Sequence, residues 1–128
     1  MNSIKNIDSI KSNDLFKNID FLSINFPFDA KNFEELKEGD LIYSPGQPAN
    51  FIYLLIEGEI KVKLTSIKRL FFKSSNEFFG ESEILGDTDR NSSALANSNC
   101  TLYKIEKSLL NRLLNDSSAL RLNLLNEQ

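Results

Sequence analysis

Between Leu41 and Ile105 the chain is a succession of short β-forming runs, cut by turn residues about every ten positions, with Phe33 and Leu36 preceding a turn at Gly39-Asp40. Leu41-Ile42-Tyr43 is followed by the dense turn chemistry of Ser44-Pro45-Gly46-Gln47-Pro48. Phe51 to Ile56 is apolar at successive positions, the pattern of a strand covered on both faces. After a break at Glu57-Gly58-Glu59, Ile60, Val62 and Leu64 alternate with Lys61 and Lys63, so this strand has one wet face. Ile67 to Phe72 reads as a further strand, and Ser92 to Ala96 and Thr101 to Ile105 as two closing strands joined at Asn97-Ser98-Asn99. Phe78-Phe79-Gly80-Glu81 interrupts this rhythm, and Ser82 to Leu85 suits one helical turn before the loop Gly86-Asp87-Thr88-Asp89. Strands this short and this regularly punctuated predict a barrel or a sandwich.

Helical spacing flanks the strands. Leu15, Phe16, Ile19 and Leu22 fit the apolar stripe of a short helix capped by Asp14 and ended by Pro27. Before it, Ile4, Ile7 and Ile10 recur every third position, so residues 1–14 are expected to be flexible or weakly helical, apart from a domain at 15–128. Leu109, Leu110, Leu113 and Leu114 predict a helix broken at Asn115-Asp116-Ser117-Ser118, and Leu120, Leu124 and Leu125 a second one. These leucines are expected to pack under the strands. Neighbours on a strand face opposite ways, so one member of each pair Phe71-Phe72 and Phe78-Phe79 is expected to be exposed or covered by the tail, a hint of a protein interface.

Composition removes several functions. The 128 residues suit one core, and 15 basic against 18 acidic side chains give a net charge of −3, unlike a general nucleic-acid binder. A small anion remains possible as a ligand, since one arginine suffices. The chain has no histidine. Imidazole-based metal sites, zinc sites of Cys and His, and a serine or cysteine nucleophile paired with histidine are therefore ruled out. The expectation is a non-enzyme without metal or cofactor. The single cysteine, Cys100, forms no disulfide within the chain and reads as a small buried filler. No export signal or membrane-length apolar run is visible, so a cytoplasmic location without a membrane span is expected.

The chemistry concentrates in Phe79-Gly80-Glu81 and in Arg90-Asn91-Ser92-Ser93-Ala94-Leu95-Ala96. A cyclic nucleoside monophosphate carries one anionic phosphate, best met by a guanidinium fork, and a free ribose 2′-hydroxyl that a fixed carboxylate can accept. Backbone amides opening a short helical turn add positive potential, and a glycine admits the sugar closely. Arg90, Glu81, the turn Ser82–Leu85 and Gly80 supply these four features in one segment.

This segment resembles the phosphate-binding cassette of the cyclic-nucleotide-binding domain family, the β-roll sensor of catabolite activator protein and of protein kinase A regulatory subunits. The family pattern runs Phe-Gly-Glu, two or three apolar residues, a loop, Arg-Ser/Thr-Ala and a later Ala; here it reads Phe79-Gly80-Glu81, Ile84-Leu85, Arg90-Asn91-Ser92 and Ala96. The resemblance covers about residues 15–125, with Gly39, Gly46 and Gly58 at the family's turn glycines. It departs at Asn91, at Ser92 where Ala is usual, at Ser82 in place of an apolar residue, and at Asn76 near the usual Gly.

The resemblance implies a mainly β fold with flanking helices: a double-stranded β-helix, jelly-roll-like, with an N-terminal helix, a short cassette helix and C-terminal helices. It implies that Glu81 accepts from the ribose 2′-hydroxyl and that Arg90 pairs with the cyclic phosphate. Gly80 and Ser82 would give backbone contacts, Asn91 or Ser92 a further phosphate hydrogen bond, and Val62, Leu64 and Phe79 the apolar wall for the base. With no helix-turn-helix for DNA, no kinase and no channel segment in the sequence, the expected role is a sensor of cyclic AMP or cyclic GMP acting on an effector protein in trans or within a homo-oligomer. The alternative is a nucleotide-free β-roll serving as a structural subunit, with Glu81 and Arg90 paired to each other or to loop backbone.

Overall fold

The computed structural model describes residues 5–126, so Ile4 of the isoleucine series lies outside the described residues. The order is α1 (Ile7–Lys11), β1 (Phe33–Leu36), β2 (Leu41–Tyr43), β3 (Phe51–Glu57), β4 (Glu59–Leu64), β5 (Arg69–Ser74), β6 (Phe78–Phe79), α2 (Glu81–Leu85), β7 (Ser92–Ala96), β8 (Cys100–Glu106), α3 (Lys107–Asp116) and α4 (Ser118–Asn126). The strands form two antiparallel four-stranded sheets, ordered β1-β8-β3-β6 and β2-β7-β4-β5. Each closing strand lies between strands from early in the chain: β8 between β1 and β3, β7 between β2 and β4. This is the expected β-roll.

Two cores result, and β3 belongs to both. Tyr53 and Leu55 point between the sheets, where they meet Tyr43, Ile60, Phe79, Ala94 and Leu102. Ile52, Leu54 and Ile56 point the other way, toward Leu110 and Leu113 of α3 and Leu120 and Leu124 of α4. The continuous apolar run of β3 thus has its predicted cause: both faces are covered. Of the leucines expected in the core, Leu110, Leu113, Leu120 and Leu124 are buried and Leu109 and Leu114 pack against them, while Leu125, like Leu122, is exposed. Only Ser117 separates the two tail helices, a narrower break than Asn115–Ser118. Ile10 of α1 also reaches the helix-side core, beside Leu15 and Phe16.

Several expectations are corrected. Leu15 to Leu22 is no helix: Asp14–Phe16 makes one 3-10 turn, capped by Asn13, whose Oδ1 accepts from the Leu15 amide at 3.1 Å. Asn18 then takes a left-handed φ of 63°, which a continuing α-helix does not allow, and Leu22 is left exposed. Phe33 to Leu36 proves to be a strand paired with β8. β5 begins at Arg69 rather than at Ile67, because Lys68 at φ 49° closes the turn that sets Leu64 opposite Arg69. The Phe pairs follow the expectation: Phe78 enters the helix-side core with the tail leucines, so it is covered by the tail, and Phe79 enters the inter-sheet core. Phe72, in contrast, is exposed while Phe71 is half-buried, as the alternation requires. Cys100 is buried between the sheets. Among the described residues no helix is long and apolar enough to cross a membrane.

Candidate functional site

The hollow of the roll opens between β4, β5 and the segment from β6 through α2 to β7. It holds about 320 Å³ and is lined on its apolar side by Val62, Leu64, Phe71, Phe79 and Tyr43. Its polar side is Gly80, Glu81, Ser82, Glu83, Asn91, Ser92 and Lys73. The alternation of β4 turns Val62 and Leu64 inward, and β6 carries Phe79 to the same wall before the chain turns sharply at Gly80. Gly80 makes that turn at φ 87°, and a Cβ there would stand 3.2 Å from Arg90 Nη1 and 3.3 Å from the Tyr53 ring. Eight of the nine expected site residues (Val62, Leu64, Phe79, Gly80, Glu81, Ser82, Asn91 and Ser92) therefore share one cavity. The ninth, Arg90, does not line it.

Arg90 is buried behind that wall, 3% exposed. Its Nη1 donates to the Gly80 carbonyl at 2.8 Å and to Glu83 Oε1 at 3.1 Å, and its Nη2 donates to the Phe51 carbonyl at 2.6 Å. Its guanidinium carbon stands 4.0 Å from the Tyr43 ring centre, a cation–π contact. Burial pushes the Tyr43 hydroxyl up to about 12, against the opposing pull of Arg90. The Arg90 Nε is a buried donor without a partner.

The partner of Arg90 is Glu83, not Glu81. Glu83, on α2 and 3% exposed, also accepts at Oε2 from the Asn91 backbone amide at 3.2 Å and from Ser92 Oγ at 2.9 Å. Its two oxygens thus gather a guanidinium, an amide and a hydroxyl. Sequence reasoning missed it, although an acidic residue stands where the family pattern asks for an apolar one. Tyr43, Phe71 and Lys73 were missed as well. Glu81 is buried and faces the hollow, and its carboxyl is raised above the ordinary range, first by desolvation and against the pull of Lys73. A buried carboxylate of this kind gains from any hydroxyl donor brought to it. Among the described residues no group of three or more Cys, Asp or Glu could hold a metal ion.

Comparison with known proteins agrees with this geometry. The family model for the cyclic nucleotide-binding domain matches residues 33–117. A cAMP-dependent protein kinase regulatory subunit from Hypocrea atroviridis is 33% identical over 86 residues, which are 67% of this chain and 18% of that protein. The chain therefore spans about a fifth of the length of that relative. The sensor domain of the transcriptional regulator DNR from Pseudomonas aeruginosa superimposes with a TM-score of 0.75 at 21% identity, covering 95% of this chain and 89% of that one. PKAR CBD2 with Sp-2Cl-cAMPS bound gives a TM-score of 0.71 at 18% identity, covering 94% and 82%. At such identities the structural likeness concerns the fold, which is the same β-roll. The sequence match across β1 to α3, joined to this roll and its Phe79-Gly80-Glu81 to Arg90 cassette, shows that the chain belongs to the cyclic nucleotide-binding domain family.

Proposed function

We propose that this domain is a regulatory, non-catalytic module whose hollow takes a cyclic nucleotide, cyclic AMP or cyclic GMP, and signals its presence to a partner in trans in the cytoplasm. The observation that carries the reading is the cavity itself: an apolar wall of Val62, Leu64 and Phe79 facing the buried carboxylate of Glu81. A flat base fits the wall, and a sugar hydroxyl relieves the desolvated carboxylate. The phosphate falls toward the cradle of Asn91, Ser92 and Arg90, where it meets the guanidinium only at the cost of displacing the Glu83 carboxylate.

The test is titration calorimetry with cyclic AMP, cyclic GMP and cyclic dinucleotides on the wild type and on Glu81→Gln, which keeps the side chain's shape and removes its charge. The expected outcome is a single site that loses about tenfold in affinity, as for a hydrogen bond to a charged acceptor. Binding untouched by this change overturns the role of Glu81.

A second reading has its own observation. Both terminal nitrogens of Arg90 are already engaged by Glu83 and two carbonyls, so its charge is balanced without a ligand and the roll suits a structural subunit. Under the first reading a ligand at 100 times its Kd adds about 2.7 kcal/mol of stability. An unchanged Tm at saturating nucleotide selects the second.

A further inference from the structure

The carboxylate of Glu83 sits where a small anion would. A guanidinium N–H, a main-chain amide and a serine hydroxyl converge on its two oxygens at 3.1, 3.2 and 2.9 Å. That donor set is the one two phosphate oxygens require. The site is buried, its charge is balanced, and the anion belongs to the chain. Glu83 comes from α2, so it is held beside Arg90 at a fixed distance and acts as an internal competitor at high effective concentration. A ligand phosphate entering the cradle must displace one negative charge and cannot simply join it, because two anions would then share one guanidinium.

We propose that Glu83 is a tethered stand-in for phosphate and the residue that sets the ligand specificity of this hollow. With Glu83 in place, the phosphate adds little to binding. The hollow then recognises the uncharged parts of a nucleoside-type ligand: hydroxyls at Glu81 and an apolar ring along Val62, Leu64 and Phe79. An uncharged nucleoside and its cyclic phosphate bind with similar affinity. The proposal rests on the reading that the hollow takes a nucleotide-like ligand, but the cradle itself can be probed without one.

Two measurements on the wild type, Glu83→Ala and Glu83→Gln test it. In the first, Tm is followed against sodium phosphate, with sodium chloride at matched ionic strength as reference. Glu83→Ala leaves Arg90 buried and unpaired, so its Tm is lowered, and millimolar inorganic phosphate restores part of the loss while the wild type does not respond. Glu83→Gln keeps the side chain's bulk, remains closer to the wild type in Tm and responds less. In the second, adenosine and cyclic AMP are titrated into each protein. Glu83→Ala raises the preference for cyclic AMP over adenosine by at least about tenfold, as for one hydrogen bond to a charged group regained by the phosphate. If Glu83→Ala does not fold without added anion, refolding in phosphate but not in chloride gives the same support. Phosphate rescue with no adenosine or cyclic AMP bound by any variant upholds the tethered anion and overturns the proposed ligand. No phosphate response, together with a cyclic AMP preference unchanged from wild type, overturns the tethered anion.

Discussion

Arg90 and Glu83 form a buried ion pair whose charges lie at 3.1 Å with almost no solvent contact. Removing one partner of such a pair strands the other, which costs about 3–5 kcal/mol. Arg90→Ala is therefore expected to lower stability by that amount in urea unfolding. In the Arg90→Ala/Glu83→Ala double variant the loss should fall short of the sum by about 0.5–3 kcal/mol. An additive double variant would mean that the two side chains act separately. Arg90→Lys should not rescue, because an ammonium cannot reach Gly80, Glu83 and Phe51 with one planar fork. Glu81 gives the opposite sign. Burial raises its carboxyl, so the native state holds a proton that the unfolded state has released, and stability falls as pH rises from the ordinary carboxylate range through the raised value. Glu81→Gln should accordingly have a higher Tm than wild type at neutral pH, the difference vanishing once both states are protonated in acid. A Tm difference that grows toward acid would refute this. At this scale the sequence was readable for placement, as with Glu81 and Gly80, which line the hollow where the resemblance put them. The contact of Arg90 with backbone carbonyls was among the alternatives, but its pairing with Glu83 was not readable, because the resemblance takes the positions after Glu81 as apolar filling.

Elements were legible in proportion to how fully their own residues determine them. β3, β4 and β8 announce themselves by continuous or alternating β-branched, aromatic and leucine residues, β7 by its place before the Asn97-Ser98-Asn99 turn, and the bounds of all four lie within a residue or two of those expected. β1 was invisible because Phe33-Glu34-Glu35-Leu36 has poor strand propensity and is held by pairing with β8. The helix expected over Leu15 to Leu22 fails for the converse reason: its spacing is helical, but Phe16, Phe21 and Phe26 gather into an aromatic cluster, with ring centres 4.9 to 5.4 Å apart, that a straight helix would not assemble. The turn between β3 and β4 shows how tightly an element boundary can be fixed. Gly58 adopts φ 107°, and a Cβ there would lie 2.6 Å from the Asn99 carbonyl oxygen and 2.7 Å from Cys100 Sγ. Gly58→Ala should cost more than about 1 kcal/mol, read as a lower urea midpoint at unchanged slope. An unchanged midpoint would mean that the two turns can move apart freely.

The whole molecule is two cores sharing one strand, and that sharing should govern how it opens. β3 is bonded to β8 and β6 and covered on both faces, while β5 is an edge strand paired only with β4 and exposes Leu70 and Phe72. Amide hydrogen exchange should be fastest along β5 and slowest along β3 and β8, the latter approaching the global unfolding free energy. Equal protection of β5 and β3 would show that the two sheets open as one unit. The overall architecture was legible because strand rhythm and leucine spacing are whole-chain signals that survive local errors. What could not be read was the crossing of early and late strands, which depends on pairings far apart in sequence.

Two successive peptide units tie the pocket wall to the tail. The Phe51 carbonyl receives the Arg90 Nη2 proton, and the adjoining Asn50 carbonyl receives the amide of Lys107, the first residue of α3. The Lys107 side chain in turn reaches Asp87, in the loop just before Arg90, at 3.1 Å. The seat of the guanidinium and the start of α3 are thus joined twice, once through neighbouring carbonyls and once through the loop before Arg90, so neither can shift without straining the other.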